Sequence, residues 1–267
     1  MNPMRALPRG VSILPVYLLS ANAVVCATYL AAVAMAEVLL LTTGLLAGAV
    51  AHVTLVAVLT GHAIAAPRAP YRRLLVALAV PSLLRLLGLV VPVASTSVPV
   101  WYFTAGTPAL LAVVLAARLV EMPPGLLGRP RTVWVQLLIA ASGITNGLLA
   151  YLVLRPAPIA EGPLLVPLAA VAVAVFSGLL EEVAFHGILQ GIAVEVFRSG
   201  AAGVAVSTAA LTIMYLGSLS IPFVVLMFST SLFLGWAVNE SGSLWGALGS
   251  HIALVVGLVV IWPLLLP

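Results

Sequence analysis

The chain contains no lysine and no aspartate: all eleven basic residues are arginine and all seven acidic ones glutamate. Charge of any kind is scarce, 7% of 267 residues, where a soluble domain carries roughly a quarter. There is one cysteine, Cys26, so no disulfide framework can form within the chain. The arginines are spread over connecting segments and form no stripe or block, which excludes nucleic acid as a partner despite a net charge of +4. Internal repeats and low-complexity tails are missing as well.

What the chain has in abundance is apolar sequence, 63% of residues, with a mean hydropathy of +1.26. A bilayer core takes about 20 apolar residues per helix. Nine runs qualify, at 11–35, 38–65, 72–93, 98–120, 132–154, 164–190, 201–219, 222–239 and 243–264. The clearest breaks are "APRAPYRR" (66–73), "EMPPGLLGRPR" (121–131) and "RPAPIAEGP" (155–163), where proline removes a backbone donor. The pattern predicts an all-α, polytopic transmembrane bundle of eight or nine helices, since lipid offers no partner for an unpaired backbone group. Residues 1–131 read as generic membrane helices and 132–267 as a core with more specific features, the two forming one integrated domain. "AMA" at 34–36 has the look of a signal cleavage site, but the apolar run before it is far longer than a signal h-region, and the segment reads as a retained first span.

Arginine placement gives the orientation. With the N-terminus cytoplasmic, Arg5, Arg9, Arg68, Arg72, Arg73, Arg118, Arg129, Arg131 and Arg198 fall on the inner side, Arg155 outside and Arg85 within a span. The expectation is a multi-pass protein of the cell membrane with its N-terminus inside.

Against this background "GLLEEVAFHG" (178–187) stands out, with two adjacent glutamates and a histidine at membrane depth. Buried carboxylates are expensive in lipid and usually mark a pathway or a site. If the sixth helix ends near Gln190, Glu181 and Glu182 lie about 13 Å from its inner end, and His251 lies about 12 Å along the ninth span from the same face. His186, four residues after Glu182, shares its helix face. The alternative is structural: two neighbouring carboxylates cannot both ionise easily, and one can be a protonated interhelical hydrogen-bond donor. A lone buried histidine such as His251 is often a satisfied core residue. Arg85 is either a counter-charge to the glutamates or a local pair, His52 and His62 carry less weight, and Asn22 and Asn146 read as interhelical hydrogen-bond residues.

Three stretches, "LLEEVAFHGILQG", "VSTAALTIMYLGSL" and "LFLGWAVNESGSLWGALGSHIALVVGL", together resemble the core of the CPBP intramembrane proteases, the CAAX prenyl proteases among them, over residues 175–260. That family's pattern is Glu-Glu-x-x-x-Arg, then Phe-x-x-x-His, then His-x-x-x-Asn. The resemblance implies that the first glutamate and the second-motif histidine activate a water, that the third-motif histidine and asparagine stabilise the oxyanion, and that a divalent metal such as zinc could take part. Glu181, Glu182 and His251 match; His186 stands at the arginine position, Leu211 at the phenylalanine, Tyr215 at the second-motif histidine and Val255 at the asparagine. Tyrosine is a poor base at neutral pH and an uncommon metal ligand, and valine offers no donor. The expected catalytic set is therefore Glu181, Glu182, His251, His186 and Tyr215.

The implied function is an intramembrane endopeptidase cutting near the cytoplasmic membrane face, with a membrane-embedded or membrane-proximal peptide as substrate. Two alternatives stay open: a non-catalytic relative that binds a membrane segment or partner protein in the same cavity, and a transporter using the glutamates as a relay.

Overall fold

The computed structural model describes residues 16–90, 97–122, 126, 128, 132–158 and 165–266. Arg5, Arg9, Arg129 and Arg131 of the topology argument lie outside the described residues, as do residues 11–15 of the first expected span.

Nine helices are described: α1 (Val16–Thr42), α2 (Leu45–Ala65), α3 (Arg72–Leu89), α4 (Val98–Leu119), α5 (Val133–Leu154), α6 (Val166–Phe197), α7 (Gly200–Ser218, closing in a 3₁₀ turn), α8 (Ile221–Ser241) and α9 (Trp245–Leu265). No strand occurs among the described residues, and eight of the helices are long and apolar enough to cross a membrane. The all-α bundle is as the hydropathy requires. α3 is the exception, because Arg72, Arg73 and Arg85 fall within its 18 residues. It is sheathed by protein rather than lipid: every residue from Leu74 to Ser82 except Val76 is buried, and its apolar face joins one cluster with α1, α2, α4, α6 and α7. α1 runs without a break through 34–36, with Val33, Ala36 and Glu37 buried.

The helix ends follow from local chemistry. Gly44 (φ 104°) turns α1 into α2, and Gly242 (φ 65°) ends α8 in the left-handed region that favours glycine. Ser199 and Ser220 cap α7 and α8 by accepting from the backbone N–H groups of Ala202 and Phe223.

α6 differs from expectation. It does not stop at Gln190 but continues to Phe197, where Arg198 adopts a left-handed cap. Nothing in "QGIAVEVF" removes a backbone donor, so the helix runs on past the glutamates. Glu181 and Glu182 thus sit at the midpoint of a 32-residue helix, not near its inner end. At 1.5 Å per residue α6 is about 48 Å long, well beyond an apolar core of about 30 Å.

α9 is seated by glycines. An added Cβ at Gly143 of α5 would lie 1.9 Å from the Ser250 carbonyl oxygen, one at Gly147 2.9 Å from that of Leu254, and one at Gly178 of α6 2.8 Å from the Ile252 Cα. Gly143 and Gly147 form a Gly-x-x-x-Gly pair, the small-residue surface that lets membrane helices approach closely.

Candidate functional site

Two π-helical segments, Ala174–Leu179 and Val183–Leu189, flank the short α-helical turn that carries the glutamates. Such wide turns are rare and concentrate at functional positions. Neighbouring residues on a helix point about 100° apart, and here each glutamate meets a different neighbour.

Glu181 faces Ser177 and Tyr215. Ser177 Oγ donates to Glu181 Oε1 at 2.9 Å, and the Tyr215 hydroxyl donates to Oε2 at 2.7 Å. Glu182 is fully buried and meets α9, with Oε1 2.8 Å from His251 Nδ1. The other ring nitrogen, His251 Nε2, lies 3.7 Å from Glu181 Oε2 and has no hydrogen-bond partner among the described residues; nor has Glu182 Oε2. One histidine on α9 therefore spans both carboxylates of α6. An ionised Glu182 can only accept, so Nδ1 then carries a proton and the opposite ring nitrogen, Nε2, faces Glu181.

His186 is buried on the α8 side. Its Nε2 is 3.9 Å from Glu182 Oε1 and 3.4 Å from Ser231 Oγ, and its Nδ1 is 3.0 Å from Gln190 Oε1. Gln190 donates to the Gly235 carbonyl and accepts from Ser207, closing a polar network across α6, α7 and α8. Val255 packs in an apolar cluster with Tyr151, Phe223 and Met227, and Leu211 is buried in the larger core.

A cavity of about 450 Å³ adjoins the site. Glu181, Ser177 and Tyr215 line it; Glu182, His186 and His251 do not, and lie behind Glu181. Its remaining wall comes from the last turns of α3, the first half of α4, the middle of α6 and the end of α7, including Trp101, Tyr102 and Arg85. The cavity therefore occupies the half of the bundle where α3 ends and α4 begins. This is the end opposite Arg68, Arg72, Arg73 and Arg118, whereas the expectation is cleavage near the cytoplasmic face, where those arginines are assigned.

Arg85 does not act as a counter-charge to the motif glutamates. Its Nε donates to Glu37 Oε1 at 2.7 Å, His52 Nε2 lies 3.4 Å from the same oxygen, and His62 bonds Tyr29 at 2.8 Å. Sequence reasoning missed Glu37, Ser177 and Gln190. All three had a signal: Glu37 is a carboxylate inside an apolar run, Ser177 precedes Glu181 by four residues, and Gln190 follows His186 by four.

The zinc that the resemblance implies finds no donor set. Among the described residues no three His, Cys, Asp or Glu side chains form a group able to hold a metal ion. Both Glu181 oxygens accept from Ser177 and Tyr215, and Glu182 Oε1 is paired with His251.

No curated protein and no solved structure matches the chain. One family model does, described as "Rce1-like: Type II CAAX prenyl endopeptidase Rce1-like", over residues 163–256. That range holds Glu181, Glu182, His186, Tyr215, His251 and Val255, and leaves α1 to α5 unmatched. The match covers about a third of the chain, and over that segment, which holds the motif residues, the chain is similar to the type II CAAX prenyl endopeptidases.

Proposed function

We propose that the protein is an intramembrane endopeptidase of the CPBP/CAAX type in which Glu181 is the general base. The observation that carries this reading is that Glu181 alone of the two motif carboxylates lines the cavity, while side chains on either side hold both its oxygens. A water bound to Glu181 loses a proton to the carboxylate, and the hydroxide attacks the carbonyl carbon of the scissile peptide. Collapse of the tetrahedral intermediate breaks the C–N bond, and protonated Glu181 returns the proton to the leaving nitrogen. Tyr215 and Ser177 orient the carboxylate; Glu182 holds His251 with Nε2 directed at Glu181, and His186 backs Glu182 from the far side. The substrate is a peptide embedded in or adjacent to the membrane. With the N-terminus cytoplasmic, as the arginines indicate, the cavity lies in the half of the bundle remote from the cytoplasm.

Val255 favours the second reading, a non-catalytic relative that binds a membrane segment. It fills the position of an oxyanion donor with an apolar contact, and losing one such donor costs a hydrolase roughly 10²–10³ in turnover. The deciding experiment is cleavage of quenched fluorogenic membrane-helix peptides by the purified protein, wild type against Glu181→Gln. Turnover by the wild type that falls about 10²–10⁴-fold in the variant supports general-base catalysis. Equal rates, or none from the wild type, sink the peptidase reading.

A further inference from the structure

Arg85 stands on α3, outside the family-matched segment, yet its side chain lines the same cavity as Glu181. The wall between them is largely apolar and aromatic, as at Trp101, Phe176 and Leu180. A guanidinium in such a place is costly without partners. It has two on its inner side: Nε donates to Glu37 Oε1, and Nη2 donates to the Met214 carbonyl. These contacts fix where the group sits and how its plane is turned.

The pair is asymmetric. Glu37 is sealed, with 0% of its side chain exposed, whereas Arg85 keeps 23%. Nη1 makes no hydrogen bond among the described residues. A pair serving only to join α1 and α3 has no reason to hide its anion and present its cation. A guanidinium has donors only, and its planar fork suits carboxylates.

We propose that Arg85 is a substrate-recognition residue whose Nη1 side takes a carboxylate of the bound peptide, either its chain terminus or an acidic side chain. The proposal rests on the peptidase reading for the word substrate, and on the cavity for everything else. Glu181 repels a carboxylate from its own end, so the anion is directed to the Arg85 end and the apolar stretch between them takes the intervening residues. The register of the peptide across the general base then follows from a residue of the unmatched N-terminal helices.

The test separates binding from turnover by using the Glu181→Gln protein in nonionic micelles. The probe is a fluorescein-labelled Leu/Ala/Phe decapeptide in three forms: free C-terminal acid, C-terminal amide, and C-terminal amide carrying one glutamate. Fluorescence anisotropy should show one acidic form bound about tenfold more tightly than the uncharged amide, as a charged hydrogen bond provides. The form that shows the preference identifies the source of the carboxylate. Adding Glu37→Gln together with Arg85→Gln removes both charges at once and should abolish the preference. Arg85→Lys keeps the cation, should retain a reduced preference, and serves if the double variant does not fold. Gly88 lines the cavity with nothing within 4 Å of an added Cβ, so Gly88→Leu should block all three peptides.

Equal binding of acid and amide, a preference that survives the double variant, or no binding by any form overturns the proposal. So does unchanged binding in Gly88→Leu. Cleavage by the wild type without an acid preference overturns the role of Arg85 and leaves the peptidase reading standing. An acid preference in a protein that cleaves nothing does the reverse.

Discussion

Tyr215 stands where the family has a histidine, and the structure shows what a phenol can do there. Its hydroxyl donates to Glu181 Oε2 at 2.7 Å, and its ring packs edge-on against Phe223 at 5.5 Å. It cannot take a proton from water at neutral pH, but it can hold the carboxylate that does. Tyr215→Phe keeps the ring contact and deletes only the donor. A hydrogen bond to a charged group contributes about 1.5–3 kcal/mol, so turnover of the fluorogenic peptide should fall about 10–100-fold while the melting temperature in detergent stays close to wild type. Full turnover in a folded Phe variant would mean that Glu181 is oriented by something else. The glutamates were legible in the sequence because charge at membrane depth is rare enough to demand a reason. The partition of their roles was not: which of Glu181 and Glu182 meets the cavity depends on the π-helical turns around them, and π turns leave no periodic mark in so uniformly apolar a run.

At the scale of elements, nine apolar runs became nine helices because Pro, Gly and Arg punctuate the chain at almost every break. The expected end of α6 at Gln190 fails because no proline stands at 190–197 to stop the helix, which puts the glutamates at its midpoint. The seating of α9 was also readable, from the Gly-x-x-x-Gly of α5, although nothing in that motif names the partner helix. Its consequence can be tested. An alanine methyl at 143 would stand 1.9 Å from a backbone oxygen of Ser250, the residue before His251, so either α9 moves or the contact clashes. Overpacking of this kind costs about 1–3 kcal/mol, and any shift of α9 carries His251 away from its 2.8 Å contact with Glu182. Gly143→Ala should therefore melt at a lower temperature and lose turnover together. Gly61→Ala, where an added Cβ meets nothing within 4 Å, should do neither and controls for helix propensity. A Gly143→Ala protein that melts like wild type would show that the α5–α9 crossing has slack.

At the scale of the whole molecule, the cavity lies at the end opposite Arg68, Arg72, Arg73 and Arg118. α2 begins beside Thr43 and ends before Arg68, and both residues are exposed. Thr43 marks the end where α3 stops and α4 starts, the end towards which the cavity lies; Arg68, Arg72 and Arg73 mark the other. Arginine near a span is retained on the cytoplasmic side, so the arginine-bearing end should face the cytoplasm and the cavity end should face away from it. Native Cys26 is buried at 3% exposure, and Cys26→Ala removes what little labelling it would give. In that background, Thr43→Cys should react with a membrane-impermeant maleimide in intact cells, and Arg68→Cys only after the inner face is exposed. The reverse pattern would turn the molecule over and open the cavity towards the cytoplasm, restoring the side of cleavage that the family resemblance implied. Labelling of both positions from one side would be incompatible with α2 crossing the membrane, and with it the bundle described here.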